Sequence, residues 1–144
     1  MIEILGSPQI EQLKALLEQA ELPNSDLEQI EWFQLVGLRQ DNRLLSAAGL
    51  EQCNRSLLLR SVITHPDHRS KGYARQLVTA LHQAALEAGY DEIWLLTIDA
   101  SDYFSDRYGY STVDRSDAPK GIQQSSEFRG LCPTDATLMR SDLA

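Results

Sequence analysis

Arg69, Gly72 and Ala74 stand at R-x-x-G-x-A spacing within the run "HRSKGYAR", His68 to Arg75. These residue types at this spacing suit the holding of an anion on main-chain groups. An apolar, strand-like run precedes them and a helix-like run follows. The first amides of a helix have no intrahelical acceptor, and the helix dipole adds partial positive charge there. A glycine lets backbone approach a ligand closely, and Arg69 and Lys71 add charge. Such a loop can cradle a pyrophosphate. The same residues also make an ordinary solvated start to a helix. Neither G-x-x-x-x-G-K-[ST] nor G-x-G-x-x-G occurs in the chain.

Other residues invite chemistry singly. Arg60 lies inside the apolar run "SLLLRSVIT", where an unpaired charge is costly. It must face a cleft, a partner or solvent. A guanidinium matches a carboxylate bidentately, so Arg60 is a candidate to hold an amino acid by its carboxylate; a structural ion pair is the equal alternative. Arg129 is a weaker version of the same idea. His65 and His68 stand beside proline and charge, where exposure is expected. Cys53 and Cys132 are far apart, with no CxxC or Cys/His cluster, so ordinary thiols and no metal site are expected.

The elements that must position these residues can be read in outline. The chain has 144 residues, 42% hydrophobic and 24% charged, and a formal net charge of -8. That is one domain spanning 1–144, soluble and globular in type. Its charge makes it a poor partner for nucleic acid or anionic membrane, so an anion must be held locally. No apolar run approaches the roughly 18 residues of a membrane span. The first residues lack the basic and apolar regions of a secretory signal, and a cytoplasmic location is expected.

Ser7-Pro8 is read as opening a first helix carrying Ile10, Leu13, Leu16 and Leu17 on one face. Ser25 with Glu28 suggests a capping box for a short second helix. Strands are expected over 32–38, 44–52 and 56–64, joined by turns short enough for an antiparallel meander. A long helix over about 72–88, ended by Gly89, precedes a buried strand over 92–98. Strand, helix and strand suggest a parallel crossover. A short helix ending at Gly109 follows, then a polar stretch and a last strand over 136–140. The sum is α+β.

That order, with "VITHPDHRSKGYARQLV" and "YFSDRYGY", resembles the GCN5-related N-acetyltransferase (GNAT) superfamily over about residues 44–113. Arg69 to Ala74 matches its acetyl-CoA motif [RQ]-x-x-G-x-[GA]. "LLEQAELPNSDL", "LLLRSV", "LLTIDASDYF" and "FRGLCPTDATLM" look more closely like the acetyltransferases encoded in arsenic-resistance operons. "LLTIDASDYFSDRYGY" is also similar to the acetyltransferase domain of bacterial N-acetylglutamate synthases. Both comparisons point to a small, amino-acid-like acceptor. The operon association describes gene neighbourhood and not arsenic chemistry.

The resemblance implies a mixed, mostly antiparallel sheet flanked by helices and splayed at the cofactor strand. It implies that acetyl-CoA is the acyl donor, attacked directly by an amine. Backbone of Val62, Ile63 and Thr64 is then expected along the pantetheine arm, with a bulge near Val62. Amides of Arg69, Ser70, Lys71, Gly72, Tyr73 and Ala74 are expected on the pyrophosphate, and the Val62 or Ile63 amide on the oxyanion. Many members place a tyrosine acid four residues before the glycine of the later motif; that position here is Ser105, a poorer acid. Tyr103 and Tyr108 are expected to point elsewhere, and Phe104 and Tyr108 to pack in the core. Glu51, closing the neighbouring strand, is the first candidate base. Arg60 and Arg129 are candidates for the acceptor. A non-catalytic acyl-CoA-binding module is the alternative reading, and sheet joining or C-terminal strand exchange could give a homodimer.

Overall fold

The computed structural model describes residues 2–133 and 135–143, so the C-terminal motif quoted above is described except at Thr134. Among the described residues seven strands form one sheet: β1 (Ile2–Ile4), β2 (Trp32–Gln40), β3 (Arg43–Cys53), β4 (Ser56–Thr64), β5 (Glu92–Thr97), β6 (Ser111–Val113) and β7 (Thr137–Asp142). The spatial order is β1-β2-β3-β4-β5-β7-β6, and β4 with β5 is the parallel pair among antiparallel ones. The meander of β2, β3 and β4 turns tightly at Asp41-Asn42, both at positive φ, 53° and 64°. That backbone suits a two-residue hairpin because its twist matches the strands.

The described residues form four α-helices: α1 (Ile10–Gln19), α2 (Tyr73–Glu87), α3 (Ser101–Tyr108) and α4 (Lys120–Gln123). The apolar stripe of α2, Leu77, Val78, Leu81 and Ala85, packs on one sheet face against Val36, Leu50, Leu57, Leu59 and Ile93. The stripe of α1, Ile10, Leu13, Leu16 and Leu17, covers the other face with Leu35 and Ala47. Further along that second face, Ile122 of α4 covers Leu58, Trp94 and Leu138. Alternation along β4 therefore sends Leu57 and Leu59 to α2, and Leu58 and Arg60 to the opposite face. Arg60 falls in the gap between the α1 cluster and the α4 cluster.

Three local expectations differ from the structure. The first helix is entered through a 3₁₀ turn at Ser7–Gln9, and Gln9 Oε1, rather than Ser7, takes the Gly6 amide at 2.8 Å. No second helix forms at Ser25: the segment 25–29 is a turn. Asp26 is drawn out of any local cap by Arg60 and Ser126. The polar stretch before β7 is not a bare loop, since it contains β6, α4 and a wide turn at Glu127–Leu131.

Candidate active site

The pairing of β3 with β4 passes from Ala47↔Ile63 to Gly49↔Arg60, so β4 carries an extra residue at Ser61-Val62. Ser61 sits there at φ 58°. A bulge adds local twist and breaks the ladder. On its other side β4 meets β5 at only two register pairs, Leu58↔Trp94 and Leu59↔Leu95. Past them the strands part, and a cleft of about 650 Å³ opens. Val62, Ile63 and Thr64 line one wall; Leu96, Thr97 and α3 residues Tyr103 and Phe104 line the other.

The mouth of the cleft is the loop singled out in the sequence. Gly72 caps α2 at φ 79°, a left-handed conformation that favours glycine. A Cβ there meets nothing within 4 Å, so the constraint is the backbone angle and not space. The Gln76 amide bonds Gly72 O at 3.1 Å and closes the first helical turn. The amides of Tyr73, Ala74 and Arg75 precede it and have no intrahelical acceptor. Arg69, Ser70, Gly72, Tyr73 and Ala74 line the cleft. Lys71 does not; its Nζ is 3.4 Å from His68 Nδ1. Arg75 and Arg107 line it and were not singled out in the sequence. Arg75 was legible in principle, as the residue directly after the motif in the first turn of the helix. Free amides, a left-handed glycine and three arginines together fit a pyrophosphate group.

At the opposite end of the cleft Arg60 is fully buried among carboxylates. Its Nη1 donates to Asp26 Oδ2 at 2.8 Å and to Glu51 Oε1 at 2.9 Å, and its Nη2 to Asp26 Oδ1 at 2.6 Å. Glu127 Oε2 lies 3.6 Å from Nε. Gly49, paired to Arg60, leaves room for the Trp32 ring: a Cβ would stand 2.3 Å from that ring. The ring packs 5.9 Å from the guanidinium carbon. Burial opposes the Arg60 charge, but Glu127, Asp26 and Glu51 more than restore it. Burial also opposes the Asp26 carboxylate, yet hydrogen bonds from Arg60 and Ser126 hold it below its ordinary range.

Residues 8–108 match the family described as "Acetyltransferase (GNAT) family". The chain belongs to the acetyltransferase (GNAT) family. A comparison with curated proteins found no match. Among solved structures the chain is similar to N-acetylglutamate synthase from Neisseria gonorrhoeae complexed with coenzyme A and N-acetyl-glutamate, at 16% identity and TM-score 0.77, covering 100% of this chain and 35% of that one. It thus spans about a third of that protein's length. It is similar to a GNAT-family acetyltransferase from Staphylococcus aureus Mu50 at 17% identity and TM-score 0.77, covering 100% of both chains. It is also similar to an aminoglycoside 6'-N-acetyltransferase complexed with coenzyme A, at 15% identity and TM-score 0.71, covering 100% of this chain and 97% of that one. At such identities the likeness is one of fold.

Several residues singled out in the GNAT chain are not brought to the cleft. Ser105 is exposed and off the cleft wall, because α3 turns Tyr103, Phe104 and Arg107 toward it instead. Tyr103 therefore faces the cleft, contrary to the reading from helix rotation; its hydroxyl is 3.1 Å from that of Tyr108. Phe104 and Tyr108 pack against the α2 core. Glu51 and the exposed Arg129 line a separate shallow hollow on the far side of Arg60. Arg60 is held by protein carboxylates, which leaves no terminal nitrogen free of them for a substrate carboxylate. Burial and nearby acids push both free thiols, Cys53 and Cys132, up to about 12, so neither is a ready thiolate. Among the described residues no group of His, Cys, Asp and Glu could hold a metal ion, and no helix is long and apolar enough to cross a membrane.

Proposed function

We propose that this chain is an acetyl-CoA-dependent N-acetyltransferase acting on the amine of a small acceptor. The observation that carries the reading is the open edge of β4 leading into the Gly72 turn. Together these offer main-chain groups along one line from the bulge to the start of α2. Amides from Arg69 to Ala74 hold the pyrophosphate, with Arg69 and Arg75 as flanking charge. Backbone of Val62, Ile63 and Thr64 holds the pantetheine arm. Fixed main-chain donors need little reorganisation when charge develops, which suits the Val62 or Ile63 amide to the thioester oxygen. Acetyl-CoA, when bound, supplies a thioester that an amine attacks directly.

Within the family the quoted motifs support a position near the acetyltransferases of arsenic-resistance operons. They support no arsenic chemistry, since a soft metalloid prefers several thiolates and Cys132 is a single buried thiol. Both resemblances point to an amino-acid-like acceptor, but Arg60, engaged by Asp26 and Glu51, is not the group that would hold its carboxylate. One observation favours a second function: Ser105 stands where many members have a tyrosine, and it lies off the cleft. That would suit a non-catalytic acyl-CoA-binding module.

Calorimetric titration of acetyl-CoA into wild type and Gly72→Asp tests the reading. The variant places a side chain and a negative charge where the phosphates are held. Binding by wild type and not by the folded variant is expected. Thiol release with any amine then separates an enzyme from a binding module. A folded wild type that does not bind acetyl-CoA removes both functions.

A further inference from the structure

Glu127 opens the wide turn Glu127–Leu131 and is 6% exposed. It lines the cleft, as Cys132 and Arg60 do. These three mark its inner end, because Arg60 precedes the bulge on β4 while the anion loop follows Thr64. Backbone bonds hold the turn, Arg129 N to Ser125 O and Cys132 N to Glu127 O, each 3.0 Å. Among the described residues no hydrogen-bond donor reaches the Glu127 carboxylate. The nearest cation, Arg60 Nε, stands off at 3.6 Å and is itself without a hydrogen-bond partner. Buried carboxylates are normally well supplied with donors. One left without them on the wall of a ligand-sized cleft is ready to accept from a ligand. Asp26 and Glu51 lack that freedom: both are hydrogen-bonded to Arg60 and neither lines the cleft.

Resting on the acetyltransferase reading, we propose that Glu127 is the catalytic residue that accepts the proton of the acceptor's ammonium group. The ammonium N–H bond breaks and its proton passes to a Glu127 oxygen, which leaves a neutral amine. A C–N bond then forms as the thioester C–S bond breaks, and a second nitrogen proton ends on the departing sulfur. Glu127 returns its own proton to water. The groups facing Glu127 are Arg60 from β4, Asp26 from the loop before β2, Glu51 from β3 and the thiols of Cys53 and Cys132. Burial pushes the Glu127 carboxyl up to about 7; Arg60 opposes the rise, and Asp26 and Glu51 add to it. A base is most efficient when it titrates near the working pH.

The test compares wild type with Glu127→Gln. Calorimetry with acetyl-CoA reports the underlying reading, and thiol release with L-glutamate, spermidine and tobramycin from about pH 5 to 9 reports the base. Equal acetyl-CoA affinity is expected in both proteins. Wild-type kcat/KM should show an inflection near 7 that the variant lacks, with kcat down about 100-fold or more. An unchanged kcat or inflection in the variant overturns the assignment and leaves the cofactor reading standing. Failure of folded wild type to bind acetyl-CoA overturns both. Carbon-13 NMR of glutamate-labelled protein needs no acceptor: the carboxyl resonance lost in Glu127→Gln should titrate near 7. A resonance that titrates in the ordinary carboxylate range overturns the proposal even if none of the three amines reacts.

Discussion

Arg60 grips Asp26 as a bidentate pair, Nη1 to Oδ2 at 2.8 Å and Nη2 to Oδ1 at 2.6 Å. The pair joins β4 to a turn that has no regular structure of its own. Because Asp26 also accepts from Ser126, it ties that turn to the C-terminal segment as well. With Glu51 of β3, the cluster behind the inner end of the cleft thus draws on four separate stretches of chain around one guanidinium.

This arrangement predicts an asymmetric response to mutation. Removing one partner of a buried pair leaves the other uncompensated, which costs about 3–5 kcal/mol. Arg60→Met strands Asp26, Glu51 and Glu127 together and should lose at least that much in urea unfolding. Arg60→Lys should restore little, since a point charge cannot match the planar fork. A methionine variant as stable as wild type would show that the cluster contributes nothing to the fold.

The anion loop was legible because all of its parts are contiguous: a strand end, a glycine and the first turn of a helix. The Arg60 cluster was legible only as an anomaly, a charge in an apolar strand. Its partners come from residues 26, 51 and 127, and no local pattern ties them together. Glu127 lay at the edge of a polar stretch, where a glutamate reads as solvated. The Ser25–Glu28 pattern misled for the same reason, since a distant guanidinium outweighs a local cap at Asp26. β1 and β6 are three residues each, too short for periodicity to register. Ser105 was placed by counting back from Gly109, and a count does not report which side of α3 meets the cleft.

Glu127 also predicts how stability depends on pH. Its carboxyl is raised from an ordinary 4.5 to about 7 by burial. Below 4.5 it is protonated in folded and unfolded chains alike, so it adds no penalty. As pH rises the unfolded chain loses the proton first, and stability falls until the folded group has also titrated near 7. Above that the penalty is constant. Asp26 acts the other way, since its lowered carboxyl adds stability that is lost only as pH falls toward its folded value. Calorimetric unfolding of wild type and Glu127→Gln across pH 4 to 8 isolates the first effect. At about 1.4 kcal/mol per pKa unit, the variant should gain on wild type by up to roughly 3 kcal/mol over that window and then run parallel. Curves parallel throughout would mean an ordinary carboxyl.

The same charges predict which acceptors react fastest. Arg60 faces Asp26, Glu51 and Glu127, three acids to one base, so the inner end of the cleft carries surplus negative charge. The other guanidinium side chains lining the cleft, those of Arg69, Arg75 and Arg107, lie on the anion loop, α2 and α3, where the phosphates are held. An acceptor with a carboxylate beside its amine meets acids there and, among the described residues, no uncommitted guanidinium. An amine flanked by further amines meets attraction instead. In the thiol-release assay near pH 7.5, kcat/KM for spermidine or tobramycin should exceed that for L-glutamate tenfold or more, about 1.4 kcal/mol in transition-state binding. Glu51→Gln, which removes one of the surplus charges away from the cleft wall, should narrow that ratio. A preference for L-glutamate that the variant leaves unchanged would mean that these acids do not set the choice of acceptor.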